Sequence, residues 1–127
     1  MKYILFLCGF FMLSLSSSQS ERSIAREGNK AYQNGLFSDS EISYKKALSK
    51  NNEFEEAQFN LSDAMYRQER YDESINLLNN LITTTDDDSL KADSYYNLGN
   101  NFLQKQNMEQ AIESYKSCLK LNPSDEQ

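Results

Sequence analysis

The chain has 127 residues, enough for one small domain. Its 13 Lys and Arg stand against 19 Asp and Glu, a formal charge of -6. Such a surface repels a phosphate backbone, so no nucleic acid partner is expected. There is no histidine, which removes the commonest general base and metal ligand; one proline and four glycines suit a helix-rich chain.

The chain opens with "MKYILFLCGFFMLSLSSSQS". Lys2 precedes an apolar run from Tyr3 to Leu15, and small polar residues follow. This pattern predicts a secretory signal peptide over residues 1–18 and an exported protein. The run is shorter than the about 20 residues a bilayer span needs, so an uncleaved, membrane-associated form is the lesser alternative. Ser16 and Ser18 satisfy the small-x-small rule, which predicts cleavage after Ser18 and exposure of Gln19. Cys8 precedes most of the apolar run and does not fit a lipoprotein cysteine. With Cys8 removed, Cys118 is the remaining thiol, and one thiol makes no internal disulfide.

The rest of the chain repeats itself. "EGNKAYQNGLFSDSEISYKKAL" (27–48), "LSDAMYRQERYDESINLLNNLI" (61–82) and "LGNNFLQKQNMEQAIESYKSCL" (98–119) align without internal gaps. The offsets are 34 and 37 residues, and the extra three fall in "TTTDDDS", read as a polar loop. Within each window apolar residues recur at three- and four-residue steps, the helical period. In the third window Tyr95, Leu98, Gly99 and Phe102 share one face of a first helix. Ala111, Tyr115 and Cys118 share the facing stripe of a second. Gly99 costs about 1 kcal/mol of helix propensity, which a helix accepts where a neighbour comes close. Ser74 and Ala111 offer similar clearance. The carboxylates of "TDDDS" suit helix N-terminal amides, and Pro123 ends the last helix. A period near 34 belongs to stacked helical hairpins, of which about three are the usual minimum. No capping helix follows "SDEQ", so Ile112, Leu119 and Leu121 are expected to stay uncovered. Each forgoes roughly 1.5–3 kcal/mol of burial, which predicts self-association through the last helix, or a partner that covers it.

These intervals resemble the tetratricopeptide repeat. The family's small residue in the first helix is Gly28, Ser62 and Gly99, followed three later by Ala31, Met65 and Phe102. In the second helix the small residue is Ser40, Ser74 and Ala111, the large one Tyr44, Leu78 and Tyr115, and the next small one Ala47, Leu81 and Cys118. The closing proline is Pro123; Ala31 and Leu81 depart in size from the usual pattern. The resemblance covers roughly residues 21–123. It implies an all-α fold, an α-solenoid of three helix–turn–helix units over about 21–54, 55–88 and 92–125. The repeat domain is then 19–123, with a tail at 124–127.

The resemblance also implies a concave groove built from the first helix of each hairpin. Its stripe contains Asn29, Tyr32 and Gln33, then Phe59, Asp63, Tyr66 and Arg67, then Tyr96, Asn100, Leu103 and Gln104. Aromatics beside amides suit an extended peptide or a helix. Chaperone-adaptor members hold a C-terminal carboxylate with two asparagines and three cations. Asn29 and Asn60 match the asparagines, but Ala25, Asp93 and Asn97 stand where the cations would be. Asp93 repels a carboxylate, so the expected ligand is neutral, basic, or apolar with amide contacts.

Other chemistry is weak. Cys118 occupies the packing position of Ala47, and buried cysteines are usually inert. Asp86 to Asp88 lack the spacing of a calcium loop and read as a cap or solvated turn. The acceptor motif "NLS" at Asn60 falls inside a predicted helix. The carboxylate pairs Glu55–Glu56 and Glu109–Glu113 read as surface charges. No nucleophile, base and oxyanion site assemble, so neither an enzyme nor a cofactor is expected.

A narrower resemblance joins the signal peptide, "REGNKAYQNGLFSDSEISYKKAL" and "KADSYYNLGNNFLQKQNMEQAIESYKSCLKLNPSDE". It is to the exported tetratricopeptide components of the Bat aerotolerance operon of Bacteroidetes-type bacteria. This implies a periplasmic scaffold working with membrane-anchored von Willebrand A-domain proteins in stress or oxygen tolerance. The alternative is an envelope assembly or chaperone-like factor that binds extended segments.

Overall fold

The computed structural model describes residues 19–122. Residues 1–18, expected from the sequence to be a signal peptide, lie outside the described residues, as do Pro123 and the tail. Six helices follow in order among the described residues: α1 (Glu21–Gln33), α2 (Phe37–Lys50), α3 (Glu55–Arg67), α4 (Tyr71–Thr84), α5 (Asp88–Gln104) and α6 (Met108–Leu121). Among the described residues there is no strand, and no helix is long and apolar enough to cross a membrane. Each helix packs on the next. α3 also touches α1 and α5, so the first helices of the three hairpins form one wall.

The turn inside each hairpin is the same. Leu36 N–H donates to Ala31, Arg70 to Met65 and Asn107 to Phe102, each at 2.9 Å. The residue before each donor has a left-handed backbone: Gly35 (φ 74°), Glu69 (61°) and Gln106 (60°). Only the first unit gives this position to glycine, which adopts it without strain.

Small residues sit where the paired helices approach. A Cβ on Gly28 would lie 2.7 Å from the Tyr44 ring, and one on Gly99 would lie 2.5 Å from the Tyr115 ring. Ser62 fills the same place opposite the shorter Leu78 and is 1% exposed. Ser74 is fully buried and donates to the Ser62 carbonyl at 2.8 Å. The core has two parts. Ile24, Tyr44, Ala47, Leu61 and Met65 join the first two hairpins. Ile75, Leu78 and Leu98 join the second and third, with Phe59, Tyr95 and Phe102 against them. Cys118 is half-buried on α6.

The insertion before the third unit is not a loop. α5 starts at Asp88, four residues ahead of the start of the third unit at Ala92, so the extra residues make an added helical turn. The cause is Asp87, whose carboxylate accepts from the amides of Ser89 (2.9 Å) and Leu90 (3.2 Å). Thr83 and Thr84 belong to the end of α4, which leaves Thr85 to Asp87 as the connection.

Charge also ties units together. Glu41 on α2, 8% exposed, accepts from Lys45 and Arg70 at 2.6 Å each and from Gln68 at 2.9 Å. Arg70 pairs in addition with Glu73, and Lys105 of the third unit pairs with Asp72 of the second. On α6, Met108, Ile112 and Leu119 are exposed, while Leu121 is half-buried.

Candidate functional site

The wall formed by α1, α3 and α5 carries two adjoining clefts. The first, about 260 Å³, is lined by Asn29, Tyr32, Gln33, Tyr44, Asn60 and Asp63. The second, about 20 Å³, is lined by Ser62, Asp63, Tyr66, Ser74, Asn97, Asn100 and Asn101. It holds little more than one water-sized sphere, and the buried Oδ1 of Asn101 in its wall has no hydrogen-bond partner. Asp63 belongs to both. A wider hollow of about 460 Å³ is lined by Asn52, Glu53, Glu55, Gln58, Asn80 and Thr84. It has no aromatic wall, so it offers no apolar contact area for a peptide.

Hydrogen bonds set the amides. Tyr44 OH donates to Asn29 Oδ1 at 2.7 Å, and Asn60 Nδ2 donates to the same oxygen at 3.1 Å. Tyr115 OH donates to Asn100 Oδ1 at 2.6 Å. The middle unit lacks this contact: Asp63 stands where the others have asparagine, and Leu78 has no hydroxyl. Burial first, then a hydrogen bond to the Asp63 carboxylate and its charge, raises the Tyr32 phenol well above its ordinary range. Burial, and then Asp63 and Glu56, pushes Tyr44 up to about 12. Both phenols therefore stay protonated donors at neutral pH.

Arg67 lies one turn after Asp63, the spacing of a helical ion pair. The pair does not form. The guanidinium sits 5.0 Å from the Phe37 ring centre and 5.9 Å from that of Tyr32. Tyr32 meets Phe37 edge-on at 5.1 Å, and Tyr66 meets Tyr71 likewise at 5.5 Å. Tyr96, 55% exposed, tilts against Tyr115 at 5.8 Å.

Of the stripe expected from the sequence, the structure gathers Asn29, Tyr32, Gln33 and Asp63 in the first cleft, and Asp63, Tyr66 and Asn100 in the second. Tyr96, Leu103 and Gln104 are exposed and line neither. Phe59 is partly buried against Ile75, Leu78 and Leu98, where it closes the joint between units. Tyr44, expected only as packing, brings its hydroxyl into the first cleft. The signal was present: "GN" with a tyrosine 16 residues after the glycine occurs in the first and third units, and "SD" with leucine replaces all three residues in the second. Of the clamp-like positions, Ala25 is 3% exposed, Asp93 is an exposed anion and Asn97 is an amide in the second cleft. Among the described residues, no group of three or more His, Cys, Asp or Glu could hold a metal ion.

Family models for the tetratricopeptide repeat match residues 26–89 and 92–125. The chain belongs to the tetratricopeptide repeat family. It is 36% identical over 70 residues to the peptidyl-prolyl cis-trans isomerase CYP7 of Saccharomyces cerevisiae. That match covers 53% of this chain and 17% of the isomerase, and lies in the repeats. The fold is similar to the TPR2AB domain of yeast Sti1 in its pHSP90 complex, with TM-score 0.74 and 23% identity. That likeness covers 80% of this chain and 40% of the Sti1 chain. It is also similar to the N-terminal domain of stress-induced protein-1 from C. elegans, with TM-score 0.72 and 18% identity, over 80% of this chain and 83% of that one. At these identities the solved structures show the fold. The repeats are a protein-interaction module.

Proposed function

We propose that the chain is an exported, non-enzymatic scaffold of the bacterial envelope. Its α1–α3–α5 wall binds a protein or peptide partner. The observation that carries this reading is the cleft between Tyr32 and Asp63, continuous through Asp63 with the Tyr66 side. Protonated phenols and amides there provide hydrogen bonds, and the rings provide apolar area. The export pattern at residues 1–18 supports a periplasmic location, in soluble or membrane-associated form. The narrower sequence resemblance supports membrane-anchored von Willebrand A-domain partners in stress or oxygen tolerance. Self-association through the exposed Met108, Ile112 and Leu119 of α6 is part of the same proposal. It predicts a concentration-dependent dimer in sedimentation that Ile112→Glu abolishes.

Photo-cross-linking in the native host tests the groove. A cross-linking residue at Gln33, which is exposed and lines the first cleft, should trap one or two membrane-anchored proteins. Tyr66→Ala with Tyr96→Ala should remove them. Capture of many outer-membrane precursors instead would overturn the scaffold and favour the chaperone-like factor.

A further inference from the structure

The first cleft has one charged group among its lining residues, the Asp63 carboxylate, and no cation. Asp63 is half-buried and makes no ion pair within 4.0 Å among the described residues. Arg67, the cation on its own helix one turn on, is engaged by the Phe37 and Tyr32 rings. The other groups around the cleft are Asn29, Gln33 and Asn60, whose amide oxygens accept, and the Tyr32 and Tyr44 phenols. Glu56, the other charge that acts on Tyr44, is also an anion.

The comparison between units shows how this carboxylate comes to face the cleft. In the first and third units the residue after the small one is asparagine, held by a tyrosine hydroxyl from the second helix. In the middle unit all three members change: Ser62 replaces glycine, Leu78 replaces tyrosine, and Asp63 replaces asparagine. Leu78 fills the core at 0% exposure and offers Asp63 no donor, so the hydrogen bond to Asp63 comes from the Tyr32 phenol across the cleft and no cation accompanies it. A half-buried carboxylate without a cation is costly to desolvate further, and an incoming cation relieves that cost.

We propose that Asp63 anchors a basic side chain, lysine or arginine, of the protein segment that occupies the groove; this rests on the wall of α1, α3 and α5 being the binding face. The side chain enters between Tyr32 and Asn60, its nitrogen donates to the Asp63 carboxylate, and the amide oxygens of Gln33 and Asn60 take remaining donors. The cleft, at about 260 Å³, has room for the end of either side chain. A carboxylate-ended segment is rejected at the same place by like charge.

The test is an NMR titration of the purified protein with three short peptides, acetylated and amidated at their ends. They are identical except for a central lysine, norleucine or glutamate. The lysine peptide should shift the signals of Asn29, Tyr32, Asn60 and Asp63, and its affinity should fall with salt. The norleucine and glutamate peptides should bind about tenfold more weakly or not at all. Asp63→Asn, which installs the residue of the other two units, should weaken the lysine peptide about tenfold without altering the helical spectrum. The triple variant Ser62→Gly, Asp63→Asn, Leu78→Tyr rebuilds the arrangement of the outer units and should lose the lysine preference as well. Equal shifts from lysine and norleucine peptides at the same residues would overturn the basic anchor and leave the groove standing. Shifts only outside the wall, or none up to about 10 mM peptide, would overturn both.

Discussion

Glu41→Gln separates charge from packing at the joint between the first two units. Glu41 is 8% exposed and accepts from Arg70, Lys45 and Gln68. Burial alone would raise its pKa; the hydrogen bonds from Arg70, Lys45 and Gln68 overturn that and hold it at about 2, against an ordinary 4.5. A carboxyl held that low is worth about 3 kcal/mol at neutral pH. The Lys45 and Arg70 side chains are 53% and 34% exposed, so solvent screening reduces this to about 2 kcal/mol. The pKa is depressed on folding, so the contribution is complete above the unfolded value near 4.5. It declines as pH falls and is gone below about 2. Glutamine preserves volume and removes the charge. Urea unfolding should show the variant about 2 kcal/mol less stable at neutral pH, with the gap at pH 3 less than half as large. Hydrogen exchange in α1 and α2 should quicken first, because the lost contacts join α2 to Gln68 and Arg70. An equal gap at both pH values would refute the charge argument, and no gap at neutral pH would refute the joint.

Gly28→Ala should cost about 1–3 kcal/mol, since its Cβ meets the Tyr44 ring at 2.7 Å and that ring is 2% exposed. Gly99→Ala should cost less than Gly28→Ala although its contact is shorter, because Tyr115 is only half-buried and its ring can move outward; thermal unfolding of the pair checks the order. Gln106→Gly should stabilise the chain by about 0.5–1 kcal/mol, read as a higher urea midpoint, because it relieves a left-handed non-glycine turn.

The stacked hairpins were legible because the fold is written in residue size at fixed steps. Gly28, Tyr44 and Ala47 recur as Gly99, Tyr115 and Cys118, and no contact outside the unit is needed to read them. The capping carboxylates of "TDDDS" were legible, but the extent of the loop was not, because polarity describes a loop and a capped first turn equally well. Only the position of the Asp87 carboxylate against two amides decides between them. Glu41 stood in plain view where the other units carry Ile75 and Ile112, but its partners Gln68 and Arg70 lie in the next unit, 27 and 29 residues on. A similar distance hid the engagement of Arg67 by Phe37 of the preceding hairpin.

The site was harder to read than the fold for a physical reason. A repeat fold demands likeness between units, whereas a binding site needs a difference between them. The stripe of groove positions followed from likeness alone, and so it took in Phe59, which packs between hairpins, beside Asp63, which does not. What sets Asp63 apart is that its two companions changed with it. An aspartate opposite a tyrosine would accept the hydroxyl, as Asn29 does from Tyr44, and would be partly spent on the fold. A leucine opposite an asparagine would leave an amide with no charge to offer. The combination of Leu78 and Asp63 keeps the core full and leaves a charge facing the cleft, with Ser62 tolerated because leucine is shorter than tyrosine. The middle unit therefore gives up one hydrogen bond between its helices, worth about 1 kcal/mol, and turns its carboxylate to the Tyr32 phenol across the cleft, where no cation lines the wall. The flanking units keep that bond, between Tyr44 and Asn29 on one side and Tyr115 and Asn100 on the other.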